Sequence, residues 1–141
     1  MASERVNASY RLPKQSILRH KRAFEYLFEH GSSFRVGVLK FFYVFAIPEE
    51  YVQSPISVGF TAPKRSFKRA VQRNRLKRRM REAYRLQQHI LSIVERKPAS
   101  PNASTLVFLI KFQGYYEADY RRIKRDMRRG LERLQAIQQE P

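Results

Sequence analysis

The sequence predicts an α+β fold, a small α/β sandwich in which helices cover one sheet, with the element order α-β-β-α-β-α. Three observations indicate this class. Three stretches carry apolar residues at helical spacing, and three short runs rich in β-branched and aromatic residues lie between them. The length of 141 residues makes one domain the natural expectation.

The first predicted helix covers residues 16–30. It is indicated by apolar residues at helical spacing, namely Ile17, Leu18, Phe24, Leu27 and Phe28. Gly31 follows at the position where a left-handed C-terminal cap is expected. Residues 1–15 are polar and basic, with Pro13, and we expect them to form a flexible basic arm before a single domain of residues 16–141.

Strands are predicted at residues 38–47, 56–62 and 105–112, where aromatic and β-branched residues concentrate. A short extra strand is a further expectation at residues 34–36. The first two runs end at Pro48 and Pro63, which cannot continue a strand ladder.

The long helix predicted for residues 68–94 has two different sides. Its apolar arc contains Leu76, Met80, Ala83, Tyr84, Gln87, Ile90, Leu91 and Val94. The opposite side presents a polar ridge formed by Asn74, Arg78, Arg81 and Arg85. This helix is therefore expected to pack by one side and to expose cations on the other.

A last helix is predicted for residues 118–138. Its apolar side carries Tyr120, Ile123, Met127, Leu131, Leu134 and Ile137. Its polar side carries Arg121, Arg122, Lys124, Arg125, Arg128, Arg129 and Arg133. A solvated surface explains these cations at least as well as a contact with RNA, and both explanations stay open.

The charge balance indicates the kind of partner. The chain has 29 Lys and Arg against 12 Asp and Glu, a formal net charge of +17. Residues 64–85 alone hold eleven of these cations and a single acid, Glu82. An excess this large repels itself in a folded protein unless a polyanion or counterions screen it. Nucleic acid is therefore the leading partner, with an anionic membrane surface a distant second.

Several classes of protein are excluded or disfavoured. Cysteine is absent, which excludes disulfides, zinc ribbons and thiol catalysis. The longest apolar run, residues 38–47, is interrupted by Lys40 and is far shorter than the roughly 20 residues that span a bilayer. No apolar stretch typical of a secretory signal lies near the N-terminus. We therefore expect a cytoplasmic protein without membrane contact.

One segment combines cations, an amide and apolar residues in a fixed pattern. It consists of Lys64-Arg65, a short loop, the run Ala70-Val71-Gln72-Arg73-Asn74-Arg75-Leu76-Lys77-Arg78, and then Arg81-Glu82 and Arg85. This pattern resembles the signature of the bacterial ribonuclease P protein component family, and the element order is similar over residues 16–138. The resemblance implies a protein subunit of ribonuclease P, the endoribonuclease that removes the 5′ leader of precursor tRNA. It also implies the catalytic RNA and precursor tRNA as partners, and a left-handed crossover joining two parallel strands.

The resemblance further assigns site residues. Contacts with RNA are expected from Lys64, Arg65, Arg73, Asn74, Arg75, Lys77, Arg78 and Arg81, the first two at the edge of a cleft. The cleft would hold the single-stranded leader, and its lining would include Phe24, Phe28 and Phe42. Guanidinium groups suit the first role because they bind phosphate in a bidentate manner. Aromatic rings suit the second because each stacked base contributes about 1–3 kcal/mol without any sequence preference.

Without the resemblance, core packing would be the better explanation of these three aromatics. Alternation along the first predicted strand places Leu39, Phe41, Tyr43 and Phe45 on the better core face. The opposite face carries Val38, Lys40, Phe42 and Val44. Its lysine is typical of a surface that meets nucleic acid.

The loop Ser66–Arg69 departs from the family pattern. It lacks the glycine that is common there, and it is one residue longer. The path of this loop, and with it the direction of Lys64 and Arg65, stays open at this point.

No catalytic constellation is visible in the sequence. The acids are scattered, and three of them are predicted to form surface pairs within a helical turn: Glu25 with Arg22, Glu82 with Arg78, and Asp126 with Arg122. The three histidines show no ligand spacing. With the resemblance, this absence implies that the RNA subunit carries the catalysis and binds the required Mg²⁺, without a dedicated protein site.

Two other classes of protein stay open. A ribosomal protein that binds ribosomal RNA would share the charge and the fold class, but it would not need an aromatic cleft beside the basic helix. A DNA-binding helix protein would usually dimerise and insert a recognition helix into the major groove. The sequence has no heptad zipper and no helix-turn-helix spacing.

Overall fold

The computed structural model describes residues 12–92 and 105–139. The elements follow the predicted order, with the extra strand confirmed: α1 (Lys21–His30), β1 (Ser32–Val36), β2 (Leu39–Phe45), β3 (Ile56–Thr61), α2 (Ala70–Gln87), β4 (Leu106–Phe112) and α3 (Tyr120–Gln139). Single 3-10 turns lie at Lys14–Ser16, Glu49–Tyr51 and Gln88–Ile90. Most of the predicted arm falls outside the described residues. The long helix was predicted to reach Val94, and this end is wrong because the helix stops at Gln87 and the backbone is already extended at Leu91.

The four strands form one mixed sheet in the order β1-β2-β4-β3. β2 pairs antiparallel with both β1 and β4, whereas β3 runs parallel to β4. Parallel neighbours cannot be joined by a tight turn, so the chain leaves the sheet and returns through a crossover that contains α2. The α+β class is confirmed, and the left-handedness of the crossover stays a prediction.

α2 and α3 enclose the larger of two apolar cores on one face of the sheet. Its fully buried side chains include Phe41, Phe108, Phe112, Met80 and Met127. Along α2, the buried positions are Leu76, Met80, Ala83, Tyr84 and Gln87. They all belong to the predicted apolar arc, and the amphipathic character of the helix is thereby confirmed.

α1 covers a smaller core on the opposite face of the sheet. This core contains Leu18, Ala23, Leu27, Val44, Ile47, Val107 and Leu109. Alternation along β2 made the face with Val44 the poorer candidate for core packing, but Val44 is buried because α1 covers that part of the strand. β4 is therefore buried on both faces, which explains why its sequence is almost uninterruptedly apolar.

α1 is shorter than predicted, because the residues before it pair with the sheet instead of joining the helix. Ile17 forms a parallel bridge with Val58, and the N–H of Leu18 donates to the Val58 carbonyl at 2.8 Å. The side chain of Gln53 holds the same segment by donating to the Gln15 carbonyl at 2.8 Å. Tertiary hydrogen bonds thus override the helical spacing, and the last residues of the predicted arm are attached to the domain.

Gly31 ends α1 with φ −81° and ψ 169°, so the predicted left-handed cap is wrong. The residue still terminates the helix, because its N–H donates to the Leu27 carbonyl at 2.8 Å. A Cβ at this position would lie 2.3 Å from that carbonyl oxygen and 2.8 Å from the carbonyl oxygen of Tyr43. Glycine is therefore required by the close approach of α1 to β2 and not by a left-handed backbone.

Asp126 of α3 is only 2% exposed, although its spacing from Arg122 predicted a surface pair. Its Oδ2 accepts a hydrogen bond at 3.1 Å from the N–H of Val38 in the β1–β2 turn. Nε of Arg122 and Nε of Arg125 lie 3.9 Å and 3.7 Å from its carboxylate oxygens. The turn needs Gly37, at φ 55°, because a Cβ there would lie 2.3 Å from Oδ2. Asp126 thus fastens α3 to the hairpin.

Gly130, in the middle of α3, generates a prediction about stability. A Cβ at this position would lie 2.2 Å from two carbons of the fully buried Phe41 ring. We expect Gly130→Ala to lower the free energy of unfolding by about 1–3 kcal/mol, because overpacking outweighs the gain of roughly 0.5–1 kcal/mol that alanine brings to a helix interior. Urea unfolding measures the change. Arg129→Ala at the exposed neighbouring position is the control and should be nearly neutral. An unchanged or raised stability of Gly130→Ala would contradict the tight contact with Phe41.

Candidate nucleic-acid interface

A groove of about 670 Å³ opens between α1, the sheet and the start of the crossover. It is lined by Phe24, Phe28, Phe42, Phe60, Thr61, Ala62, Pro63, Lys64, Arg73, Leu109 and Lys111. Five residues that were predicted for the site meet here, namely Phe24, Phe28, Phe42, Lys64 and Arg73. They come from α1, β2, the segment after β3, and α2, so the fold alone brings them together.

The three predicted aromatics are only partly buried. Phe28 is 58% exposed, and its ring meets that of Phe42 edge-on, with the centroids 5.7 Å apart. Phe24 and Phe42 are half-buried against the smaller core. Nζ of Lys40 lies 5.0 Å from the centre of the Phe42 ring, so a cation lies over this aromatic. Both core packing and an accessible ring surface are therefore present in the same residues.

Lys111 completes the cationic part of the groove and was not predicted from the sequence. It is the Cα partner of Thr61 in the parallel pair and of Lys40 in the antiparallel pair. This register places it at the edge of the sheet where the chain leaves β3 and continues to Lys64. A signal was available, because Lys111 is the one charged residue in an otherwise apolar strand. A second lining residue that the sequence did not reveal is Phe60.

One buried side chain fixes the loop Ser66–Arg69. Phe67 is 3% exposed, and its ring meets Phe112 edge-on at a centroid distance of 5.5 Å. Nη1 of Arg73 donates to the carbonyls of Phe67 and Lys68, each at 2.8 Å, so the first turn of α2 holds the loop in place. The path that the sequence left open is thereby settled: Phe67 turns inward while the basic pair before it stays exposed.

Asn74, Arg78 and Arg81 lie exposed along α2, and we call these three residues the outer face of α2. None of their side chains forms a hydrogen bond or ion pair with another residue in the part of the chain that the structure describes. Arg85, the fourth member of the predicted ridge, is bound instead by Glu82, with Nη2 2.6 Å from Oε1. Glu82 therefore pairs with Arg85 and not, as predicted, with Arg78.

Two further arginines of α2 hold the segment that precedes α3. Nη1 of Arg75 lies 3.1 Å from both carboxylate oxygens of Glu117. Nη1 of Arg79 donates to the Ala118 carbonyl at 2.8 Å. Arg75, which was predicted to contact RNA, thus has a partner within the protein, although 44% of its side chain stays exposed. Lys77, another predicted contact, is half-buried.

Hydrogen bonding and burial shift the pKa of several side chains on α2 and at the start of α3. The hydrogen bond from Arg85 lowers the pKa of Glu82, and the same bond raises the pKa of Arg85. Both groups therefore stay charged at neutral pH and neutralise each other. Burial raises the pKa of Tyr84 on α2, and of Tyr120 at the start of α3, above the ordinary value of a phenol.

Arg65 lies outside the groove. It lines a neighbouring hollow of about 470 Å³, together with Lys64, Lys111 and Tyr115.

On α3, Arg128 lies 4.0 Å from Glu132 at the exposed surface. Surface pairs of this kind contribute at most about 1 kcal/mol, so they leave the role of the α3 cations undecided.

The chemistry of the groove favours an unpaired nucleic-acid strand. No acid is among its lining residues, which instead supply aromatic rings and cations. Rings can stack with bases while cations meet the phosphates. Within residues 12–92 and 105–139, no three His, Asp or Glu side chains lie together as metal ligands would. No helix in these ranges is both long and apolar enough to cross a membrane.

Comparisons with known proteins point to one family. The family model described as Ribonuclease P matches residues 12–135. The chain is 42% identical over 93 residues to the ribonuclease P protein component of Chlorobaculum tepidum, covering 65% of this chain and 58% of that relative. It is 31% identical over 127 residues to that of Porphyromonas gingivalis, covering 90% and 88%.

Solved structures show the same fold. The RNase P protein of Staphylococcus aureus has a TM-score of 0.60 at 16% identity, covering 84% of this chain and 94% of that one. The RNase P protein from Thermotoga maritima has a TM-score of 0.60 at 16% identity, covering 82% and 94%.

The buried loop residue Phe67 generates a second prediction about stability. Replacing a buried phenylalanine with alanine typically costs about 3–5 kcal/mol, because apolar burial is lost and a cavity is left against Phe112. We expect Phe67→Ala to lower the unfolding midpoint markedly, whereas Phe67→Leu should lose much less. Thermal unfolding monitored by circular dichroism makes the comparison. Stability of the alanine variant equal to that of the parent would mean that the loop is not anchored in the core.

Proposed function

This chain belongs to the ribonuclease P protein family, whose model covers residues 12–135, and we propose that it assists removal of the 5′ leader from precursor tRNA. In this proposal the outer face of α2 docks on the catalytic RNA while the groove holds the unpaired leader. The groove carries the proposal, because aromatic rings and cations from separate elements surround one space that no acid lines.

The outer face of α2 is suited to docking on a folded RNA. Its two arginines have no carboxylate partner among the described residues, so their charge is available to phosphates. The helix is fixed from behind by its buried apolar arc, which means that little ordering is needed when RNA binds. Contact with phosphates also releases condensed counterions, and this release makes affinity depend steeply on salt.

The groove is suited to a single strand of any sequence. The rings of Phe28 and Phe42 offer stacking surfaces, and stacking is available to every base. Lys64, Arg73 and Lys111 lie at the same groove and would meet the phosphates of an extended strand. A leader held in this way stays next to the RNA to which α2 is docked.

We further propose that the RNA subunit carries out the cleavage and binds the Mg²⁺ that it requires. Phosphodiester hydrolysis usually requires clustered carboxylates for metal ions or a pair of histidines. The charged side chains of the groove are cations that donate hydrogen bonds. They do not fit Mg²⁺, which prefers oxygen ligands such as carboxylates. The protein residues bind and position the substrate. The cytoplasmic location expected from the sequence is part of the same proposal.

The ribosomal alternative is not supported. The matching family model and the named relatives are ribonuclease P proteins. The aromatic groove beside the basic helix is also the feature that a ribosomal protein would not need.

The docking role generates a prediction about salt dependence. Replacing Arg78 and Arg81 together with alanine should weaken binding to ribonuclease P RNA and reduce the slope of log affinity against log salt by about 0.7–0.9 for each phosphate that the protein no longer neutralises. A titration at several salt concentrations measures both effects. The matched control replaces Arg121 and Arg129, two exposed arginines of α3, and so removes the same charge. An equal weakening of binding in both variants would assign the effect to net charge and contradict docking by α2.

The groove generates a prediction about leaders. Phe28→Ala should weaken binding of precursor tRNA to the reconstituted enzyme by about fivefold or more, because stacking on one ring is worth roughly 1–3 kcal/mol. Binding of mature tRNA should not change. Phe28→Tyr keeps the ring and is the control, and the 58% exposure of Phe28 makes damage to the fold small.

Two results would contradict this proposal. Equal losses of affinity for precursor and mature tRNA in the Phe28→Ala enzyme would exclude a leader-specific role. In the same assay the protein without RNA should leave the precursor intact, and cleavage by the protein alone would overturn the assignment of catalysis to the RNA.

A further inference from the structure

The groove continues into a second space. The neighbouring hollow of about 470 Å³ shares Pro63, Lys64 and Lys111 with the groove and extends to Tyr115. A third hollow, also about 470 Å³, shares Gln113 and Tyr115 with the second, and its lining includes Tyr116, Glu117 and Asp119. We call these three spaces, each of which shares lining residues with the next, the depression; it leads from the phenylalanines of the groove, past a cationic stretch, to the segment between β4 and α3.

Two adjacent aromatic residues line the third hollow of this depression. Tyr115 is 82% exposed and Tyr116 is 86% exposed. The only other large apolar side chains that are exposed, among residues 12–92 and 105–139, are Phe28 in the groove and Val71 on α2. Exposed aromatic rings in this part of the chain thus occur in the first and in the last of the three spaces.

The tyrosines lie on a segment that is held at both ends. On the β4 side, the N–H of Gln113 donates to the Val38 carbonyl at 2.6 Å. A Cβ at Gly114 would lie 2.8 Å from the buried Phe112 ring, so the backbone presses against the core there. On the α3 side, the contacts of Arg75 with Glu117 and of Arg79 with the Ala118 carbonyl hold the chain. The rings are therefore carried by an anchored backbone, which reduces the ordering cost of binding.

The charge between the two aromatic sites is entirely positive. Lys64, Arg65 and Lys111 line the second hollow, and no acid lines it. An apolar protein partner is disfavoured here, because its binding would remove water from three cations without supplying them with a negatively charged partner. A single strand, which carries a phosphate at every nucleotide and unpaired bases, suits cations that lie between aromatic rings.

We propose that Tyr115 and Tyr116 form a second stacking site, for leader nucleotides that lie farther from the cleavage site than those in the groove. The strand runs from the Phe28 end of the groove, past Lys64 and Lys111, to the tyrosines. Arg75 and Arg79 are positioning residues in this arrangement, because they hold the backbone that carries the rings. The proposal rests on the assignment of the groove to the leader.

The test uses the reconstituted enzyme and a series of precursor tRNAs whose leaders grow from about two to about twelve nucleotides, so that the series begins below the range of single-strand site sizes and extends well into it. The parent enzyme should gain affinity in two steps as the leader reaches the groove and then the tyrosines. Changing both Tyr115 and Tyr116 to alanine should abolish the second step, a loss of at least about fivefold for long leaders. Short leaders should bind as they do to the parent. Changing both residues to phenylalanine is the matched control and should keep both steps.

The outcomes separate this inference from the proposed function. If the alanine pair binds every leader as the parent does, the tyrosine site is wrong while the groove assignment stands. If the alanine pair loses affinity equally for all lengths and for mature tRNA, the tyrosines contact something other than the leader, and the inference is also wrong. If the parent enzyme shows no dependence on leader length and Phe28→Ala has no effect, the proposed function fails and the inference fails with it.

Discussion

The parallel pairing of β3 with β4 is the constraint on which the rest of the structure depends. Because both strands run in the same direction, their C-terminal ends lie at the same edge of the sheet, with Thr61 opposite Lys111. The chain must leave the sheet between the two strands, and α2 lies in that crossover. This one pairing therefore positions α2, which carries the exposed arginines, and it also places the cations of the groove next to one another.

The fold assigns the cations of α2 to different tasks according to what lies opposite each of them. Arg75 faces Glu117 and Arg85 faces Glu82, so these two charges are largely neutralised within the protein. Arg73 holds the loop before the helix and also lines the groove. Arg78 and Arg81 have no such partner in the described residues. A net charge of +17 therefore overstates what is available to RNA, and the position of each acid decides the remainder.

The sequence predicted the elements that depend on local periodicity, and it failed where distant residues decide. The apolar arc of α2 was correct because burial on one side repeats along the helix. Leu18 and Asp126 were misassigned because their partners, Val58 and Val38, lie far away in the chain. The resemblance identified the aromatics and the basic helix of the site. Lys111 stood out in the sequence as the one charged residue of an apolar run, but only the strand register, which pairs it with Thr61, placed it at the groove.

The two apolar cores lie on opposite faces of one sheet, and the groove borders both of them, because Leu109 belongs to the smaller core and Ala62 to the larger one. The three phenylalanines Phe24, Phe28 and Phe42 of the groove are not part of the larger core. Substitutions of these rings therefore leave the packing beneath α2 and α3 intact. Tolerance to change on the aromatic side of the groove and resistance of the two helices to unfolding are thus governed by separate sets of residues in this molecule.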